Sequence, residues 1–209
     1  RVEGRAAFAA ILGLSRRALA EGWWEVAVYR DERRYRERGG TRMAVEYDVV
    51  IIGGGAAGEN VAGRTSPGGL STVIIESELV GGACTYWACM PSKALLRPAE
   101  ALAAAKAVPS LADAMTGGID AAKALRSRNA FANDWNDYWQ VKWVESVNAD
   151  LIRGVARLDG PKRVVVDLAE GGTQDVIARK AVVVATGSHA NVPAIDGIDE
   201  VGAYVDRDI

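Results

Sequence analysis

The chain has 209 residues, 49% of them hydrophobic and 25% charged, with a formal net charge of −2. That length holds one sizeable domain or two small ones, and the balance is that of an ordinary soluble globular protein. No basic tract points to nucleic acid, and no apolar run approaches the roughly 20 residues a membrane-spanning helix needs. The expectation is a cytoplasmic protein with neither nucleic-acid nor membrane partners.

Residues 1–42 differ in character from the rest of the chain. They contain arginine but no lysine, with Arg33, Arg34, Arg36, Arg38 and Arg42 crowded together. Ala6 to Leu14 is a short apolar stretch between Arg5 and Arg16, as in a signal peptide, but no clear small-residue cleavage site comes after it. Glu21, Glu25, Asp31, Glu32 and Glu37 argue against an organelle transit peptide, which should be poor in acid. Met43 then reads as a natural start running straight into a strand. Residues 1–42 are therefore expected to be an extension outside the fold, and 43–209 a single domain.

Asp48-Val-Val-Ile-Ile52 is a continuous β-branched run, the pattern of a strand buried on both faces of a parallel sheet. It ends in Gly53-Gly54-Gly55-Ala56-Ala57-Gly58, after which a helix begins. In this strand–turn–helix setting Gly53 permits the tight turn and Gly55 lets backbone approach a pyrophosphate. Gly58 lets helix and strand pack closely. The helix start at Ala56 and Ala57 presents backbone N–H groups to the phosphates. Pro67-Gly68-Gly69 ends the helix, and Ser71 to Ile75 is a second buried strand closed by Glu76. An acid about twenty residues past the glycines suits a ribose hydroxyl pair, which favours FAD or NAD over NADP at this site.

The only two cysteines come next, in Cys84-Thr-Tyr-Trp-Ala-Cys89-Met-Pro-Ser-Lys93. The sole histidine, His189, is distant in sequence, so a metal site lacks ligands and redox chemistry is the better reading. In a continuous helix, positions five apart are separated by about 7.5 Å along the axis, beyond the roughly 4.4–6.8 Å Cα separation of a disulfide. Thr85 to Ala88 is thus expected to be irregular, or only the start of a helix. Pro91 suits the first turn of a helix that continues through Leu96, with Pro98 limiting it. A helix start and Lys93 one turn on place positive potential near the Cys89 sulfur.

The run Gly-Gly-Ala-Cys84-Thr-Tyr-Trp-Ala-Cys89-Met-Pro-Ser-Lys93-Ala-Leu-Leu resembles the active-site signature of the pyridine nucleotide–disulfide oxidoreductases. These include dihydrolipoamide dehydrogenase, glutathione reductase and mercuric reductase. The resemblance covers Tyr47 to about Asp206. It implies an α/β, three-layer Rossmann-like FAD-binding domain with a central parallel sheet and a small antiparallel β-ribbon. It also implies a Cys84–Cys89 disulfide, with Cys84 the interchange thiol toward substrate and Cys89 the charge-transfer thiol toward the flavin. Gly82 and Lys93 would then lie at the flavin. Two departures stand out. Ala83 replaces a common Thr, and Tyr86-Trp87-Ala88 replaces Asn-Val-Gly or Asn-Trp-Gly, which points to narrower access to the dithiol.

From Pro98 to Asn148 the chain reads helical, and Trp135, Trp139 and Trp143 fall at i, i+4, i+8 on one expected helix face, for packing. Asp150 to Leu158 resembles the family strand that meets the adenine at Ala156. Arg163 to Asp167 and Gln174 to Ile177 alternate as an antiparallel ribbon turning at Gly171-Gly172. Lys180 to Val184 is expected as a further buried strand, ending in Ala185-Thr186-Gly187, which resembles the family's second FAD fingerprint. His189 is read as a loop residue.

Family members carry a further NAD(P)-binding domain and an interface domain with a His–Glu pair, and this sequence has no second GxGxxG. By resemblance it is the N-terminal part of an enzyme, homodimeric at full length, with NAD(P)H bound by the further domain. That enzyme would pass electrons between NAD(P)H, FAD and the dithiol to a small-molecule or protein disulfide, a dithiol or a metal ion. The alternative is a stand-alone FAD-binding module or inactive gene fragment without nicotinamide turnover.

Overall fold

A computed structural model describes residues 44–208. The expectation for residues 1–42 concerns a segment outside that range. The described residues form two compact units, one running to Val80 and resuming over Tyr138–Thr186, the other comprising Gly81–Asp137 with the residues from Gly187 onward.

The first unit is built on β1 (Val45–Ile52), α1 (Ala56–Thr65), β2 (Thr72–Glu76), α6 (Tyr138–Ser146), β3 (Asp150–Leu158), β4 (Arg163–Leu168) and β5 (Thr173–Val184). Strand β1 is central, parallel to β2 on one side and to β5 on the other, and β3 extends the sheet parallel to β2. Strands β3, β4 and β5 form an antiparallel meander, and the pairing of β5 with β1 closes the ladder into a ring. The β-branched run predicts this placement, because alternate residues of β1 face opposite ways. Val50 and Ile52 pack with Val73, Ile75, Val164, Val166, Val176 and Ala178. Val49 and Ile51 pack with Ile74, with Ala62 of α1 and with Val144 of α6. Both faces are buried, and each fully buried Val or Ile contributes about 1.5–3 kcal/mol.

Gln174–Ile177 and Lys180–Val184 are one strand rather than two. Tyr47 pairs with Ala178 but Val49 pairs with Ala181, so Arg179 and Lys180 together face Asp48. This is a β-bulge, which admits the charged pair opposite Asp48 without interrupting the strand.

The second unit holds α2 (Gly82–Tyr86), α3 (Cys89–Lys106), α4 (Pro109–Ala112), α5 (Ala121–Phe131) and α7 (Ile198–Val201). Helix α3 does not stop at Pro98 but runs eight residues beyond it, to Lys106. One missing N–H is outweighed by the strong helix formers Ala101, Leu102, Ala103, Ala104 and Ala105 beyond it. The tryptophan stripe is not one helix face. Asn133, Asp134 and Trp135 all have positive φ (49°, 48° and 56°), which ends the helical run before Tyr138. Asn and Asp tolerate that region, and two of them in sequence make the break. Trp135 lies under Arg128, Trp139 is 65% exposed, and only Trp143 packs into the first unit's core.

Candidate active site

At the carboxyl ends of β1, β2 and β5 the backbone is drawn tightly together. The Gly53 N–H donates to the Ile75 carbonyl at 2.8 Å, and the Ala185 N–H donates to the Ile52 carbonyl at 2.8 Å. Gly53 has φ of +102°, and a Cβ there would collide with the Ala185 carbonyl oxygen. A Cβ on Gly58 would land on the Gly53 carbonyl oxygen. No larger residue fits at either position without moving backbone.

Gly55 caps α1 with extended angles, and Glu59 N–H closes the first turn on the Gly55 carbonyl at 2.9 Å. The first N–H groups of any helix have no intrahelical acceptor. Here they belong to Ala56 and Ala57, both exposed, and to the buried Gly58. Small side chains at an open helix start make a surface that an anionic group can approach closely. Glu59 sits in this first turn, and burial raises its carboxyl above the ordinary value.

Glu76 is 9% exposed, and its carboxylate is already engaged. It accepts the Gly54 N–H at 2.6 Å and the Glu78 N–H at 2.8 Å. Sequence reasoning assigned this acid to a ribose and missed its hold on the glycine loop. Each carboxylate oxygen has two acceptor sites, so the loop contact leaves capacity for a second donor. Ala185 packs beside the helix-side core and Thr186 is exposed just beyond it. Ala156 lies farther along β3, opposite Val166 and against the meander side of the core. Two residues before it, Gly154 allows a close approach of the paired strand: a Cβ there would meet the Asp167 carbonyl oxygen.

The second unit holds the thiols. Gly81 (φ 113°) and Gly82 (φ 60°) turn the chain into α2, where the Thr85 hydroxyl donates to the Gly81 carbonyl at 3.1 Å. Cys84 is in α2 and half-buried; Cys89 is the first residue of α3 and exposed. Between them Trp87 (φ −127°, ψ −18°) and Ala88 (φ −121°, ψ −90°) leave the helical path. The irregularity expected between the thiols is thus confined to two residues. Tyr86 is fully buried and meets Trp87 edge-on at 5.7 Å, while the Arg207 guanidinium lies 4.3 Å over the Trp87 ring. Nothing in the local sequence foretold the Arg207 contact. Lys93 is exposed one turn after Cys89 and, with Ala94, Arg97, Pro98, Ser127 and Phe131, lines an open groove of about 340 Å³. Gly187 (φ 72°) and His189 are exposed and irregular, as a loop reading requires.

A parallel sheet whose central strand ends in a glycine loop at a helix start defines the class as an α/β protein with a Rossmann-like unit, here in a chain that also carries two cysteines across a helix break. The family described as pyridine nucleotide-disulphide oxidoreductase matches residues 47–208, and the chain belongs to it. It is 33% identical to a dihydrolipoyl dehydrogenase of Bacillus subtilis, over 78% of this chain and 35% of that protein. It is 30% identical to a mercuric reductase of Staphylococcus aureus, over 75% of this chain and 28% of that protein. The chain therefore spans about a third of the length of these curated relatives. Among solved structures, the Cu(II) complex of the HOCl-induced flavoprotein disulfide reductase RclA from Escherichia coli matches with a TM-score of 0.57 at 25% identity. That match covers 74% of this chain and 31% of the other. Among the described residues no helix is long and apolar enough to cross a membrane.

Proposed function

We propose that this chain is the FAD-binding, dithiol-bearing part of an NAD(P)H-dependent oxidoreductase acting on a disulfide, a dithiol or a metal ion. The reading takes the fold as the three-layer FAD-binding domain of the family, with α1 and α6 on one face of the parallel strands and the meander on the other. The observation that carries it is the two-residue helix break that separates Cys84 from Cys89, in a chain that also has a Cβ-intolerant glycine cradle.

The residues fit the cofactor. Gly53, Gly55 and Gly58 clear the approach, and the amides at Ala56 and Ala57 face a pyrophosphate. Glu76 would accept from the adenosine ribose while holding Gly54. Ala156 would lie along the adenine side, and Ala185 and Thr186 would meet the cofactor at the end of β5. FAD, when bound, supplies a two-electron carrier between the nicotinamide and the dithiol. The chain's own chemistry is thiol exchange. Oxidation of Cys84 and Cys89 joins their sulfurs and releases two protons and two electrons, and reduction reverses this. Cys84 meets the substrate disulfide and Cys89 is the thiol toward the cofactor. The nicotinamide site and the subunit partner of a homodimer lie in the rest of such an enzyme.

The test is reconstitution. The protein should take up one FAD per chain, and Gly58→Val should abolish uptake. It should also show two alkylatable thiols after reduction and none after mild oxidation, while Cys89→Ser keeps FAD and loses the bridge. Failure of the wild type to retain FAD would sink the proposal. Uptake without a reversible bridge would leave a flavin-binding module.

A further inference from the structure

Trp87 and Ala88 hold the two cysteines on separate helices, yet neither residue type demands a break. Alanine is the best helix former, and tryptophan is ordinary in helices. Pro91 gives the break a local cause, since it has no N–H to close a turn on the Trp87 carbonyl and its ring would strike that carbonyl in a continuous helix. What Pro91 leaves open is where the Trp87 side chain settles, and contacts decide that. Tyr86 supplies one, buried and edge-on to the Trp87 ring. The other comes from far along the sequence, where Arg207 covers the ring face at 4.3 Å. Arg207 sits in the 3₁₀ turn Asp206–Asp208, which is fixed by the Val205 N–H donating to the Asp208 carboxylate at 2.8 Å. Arg207 and Trp87 belong to the same compact unit.

We infer that Arg207 is a positioning residue for the dithiol: by stacking on Trp87 it holds the break that lets Cys84 and Cys89 bridge. This rests on the reading of that pair as a redox couple. A direct role for the guanidinium in binding an anionic substrate is disfavoured by the acidic residues on either side of it in sequence, Asp206 and Asp208. The stack acts instead by biasing the broken conformation, and a partly exposed cation–π contact is worth a factor of about three to ten in such an equilibrium.

The experiment equilibrates the 209-residue protein with glutathione redox buffers and quantifies bridged and unbridged chains by alkylation and mass. Each bridging event consumes one oxidised glutathione. The two protein thiols lose two electrons, and their protons end on two molecules of reduced glutathione. Arg207→Gln should lower the equilibrium constant about three- to tenfold, and Arg207→Lys, which keeps the cation, should recover part of that loss. Trp87→Phe should stay within about twofold of wild type, whereas Trp87→Ala should match Arg207→Gln. Combining Arg207→Gln with Trp87→Ala should add nothing further, because both remove the same contact. An unchanged constant in Arg207→Gln, or an additive loss in the double variant, overturns the inference. Should the glutamine variant fail to fold, the lysine, phenylalanine and alanine variants decide it. Absence of any bridge in the wild type defeats the redox reading itself.

Discussion

At its carboxyl end β1 delivers the chain into the glycine loop, where the Glu76 carboxylate is held by two backbone amides, those of Gly54 and Glu78. Toward its amino end the same strand carries Asp48, whose carboxylate is held mainly by side chains, Arg179 and Lys180 each at 3.2 Å and the Ser71 hydroxyl, with a single backbone amide, that of Ser71, at 3.1 Å. The two clusters look alike as sets of hydrogen bonds but differ in what fixes them. Backbone donors stand where the fold puts them, so Glu76 can be replaced only by a group of the same reach and charge. Arg179 and Lys180 are 46% and 52% exposed, so their attraction is screened by salt and diluted by side-chain entropy. One end of the strand is built like a binding site and the other like a surface staple.

The largest expected effects break the carboxyl end. Gly58→Val forces a side chain onto the Gly53 carbonyl and should cost more than about 3 kcal/mol, read by urea unfolding, with loss of nucleotide uptake. A native-like midpoint would mean that helix and loop are not in contact as described. Glu76→Gln should come next. It weakens two charge-assisted bonds, and about 1.5–3 kcal/mol is the scale for such contacts. Asp48→Asn should cost less than Glu76→Gln, and its cost should shrink further in high salt. If the two substitutions respond equally to salt, the contrast between the ends fails.

Legibility followed the same physical divide. The strands β1 and β2 were readable because burial on both faces leaves unbroken β-branched runs, β3 only through its resemblance to a family strand, and the cradle because glycine is required where a Cβ would strike backbone. The continuity of β5 was not readable, since a bulge absorbs Arg179 and Lys180 without any turn residue to announce it. In the dithiol unit far less was readable. Few side chains there are fully buried, so periodicity carries little information. Pro98 looks like a helix stop and is not one. The left-handed residues Asn133 to Trp135 hide inside what looks like a regular aromatic repeat. The Arg207–Trp87 stack joins residues too far apart in sequence for any spacing rule.

The smallest effects sharpen the amino end, where adjacent residues of β1 titrate at opposite edges of the pH range. The Arg179 guanidinium beside Asp48 holds its carboxyl well below the usual carboxylate range, and Ser71 and Lys180 add to this. A depressed folded value contributes stability that is present above the ordinary Asp value of about 3.9 and lost as pH falls through the folded one. Asp48→Asn should therefore flatten the acid limb of a stability–pH curve. Tyr47 does the reverse. Burial, with a hydrogen bond to Asp150, pushes its phenol up to about 12. A raised folded value contributes stability that is complete below the unfolded value of about 10 and lost as pH rises toward the folded one. Tyr47→Phe should cost about 1 kcal/mol at neutral pH, the scale of one lost hydrogen bond. That difference from wild type should narrow as pH climbs from about 10 to about 12. A constant gap across that window would show that Tyr47 ionises as readily folded as unfolded, and would remove the Asp150 contact from the account of how β1 and β3 are joined.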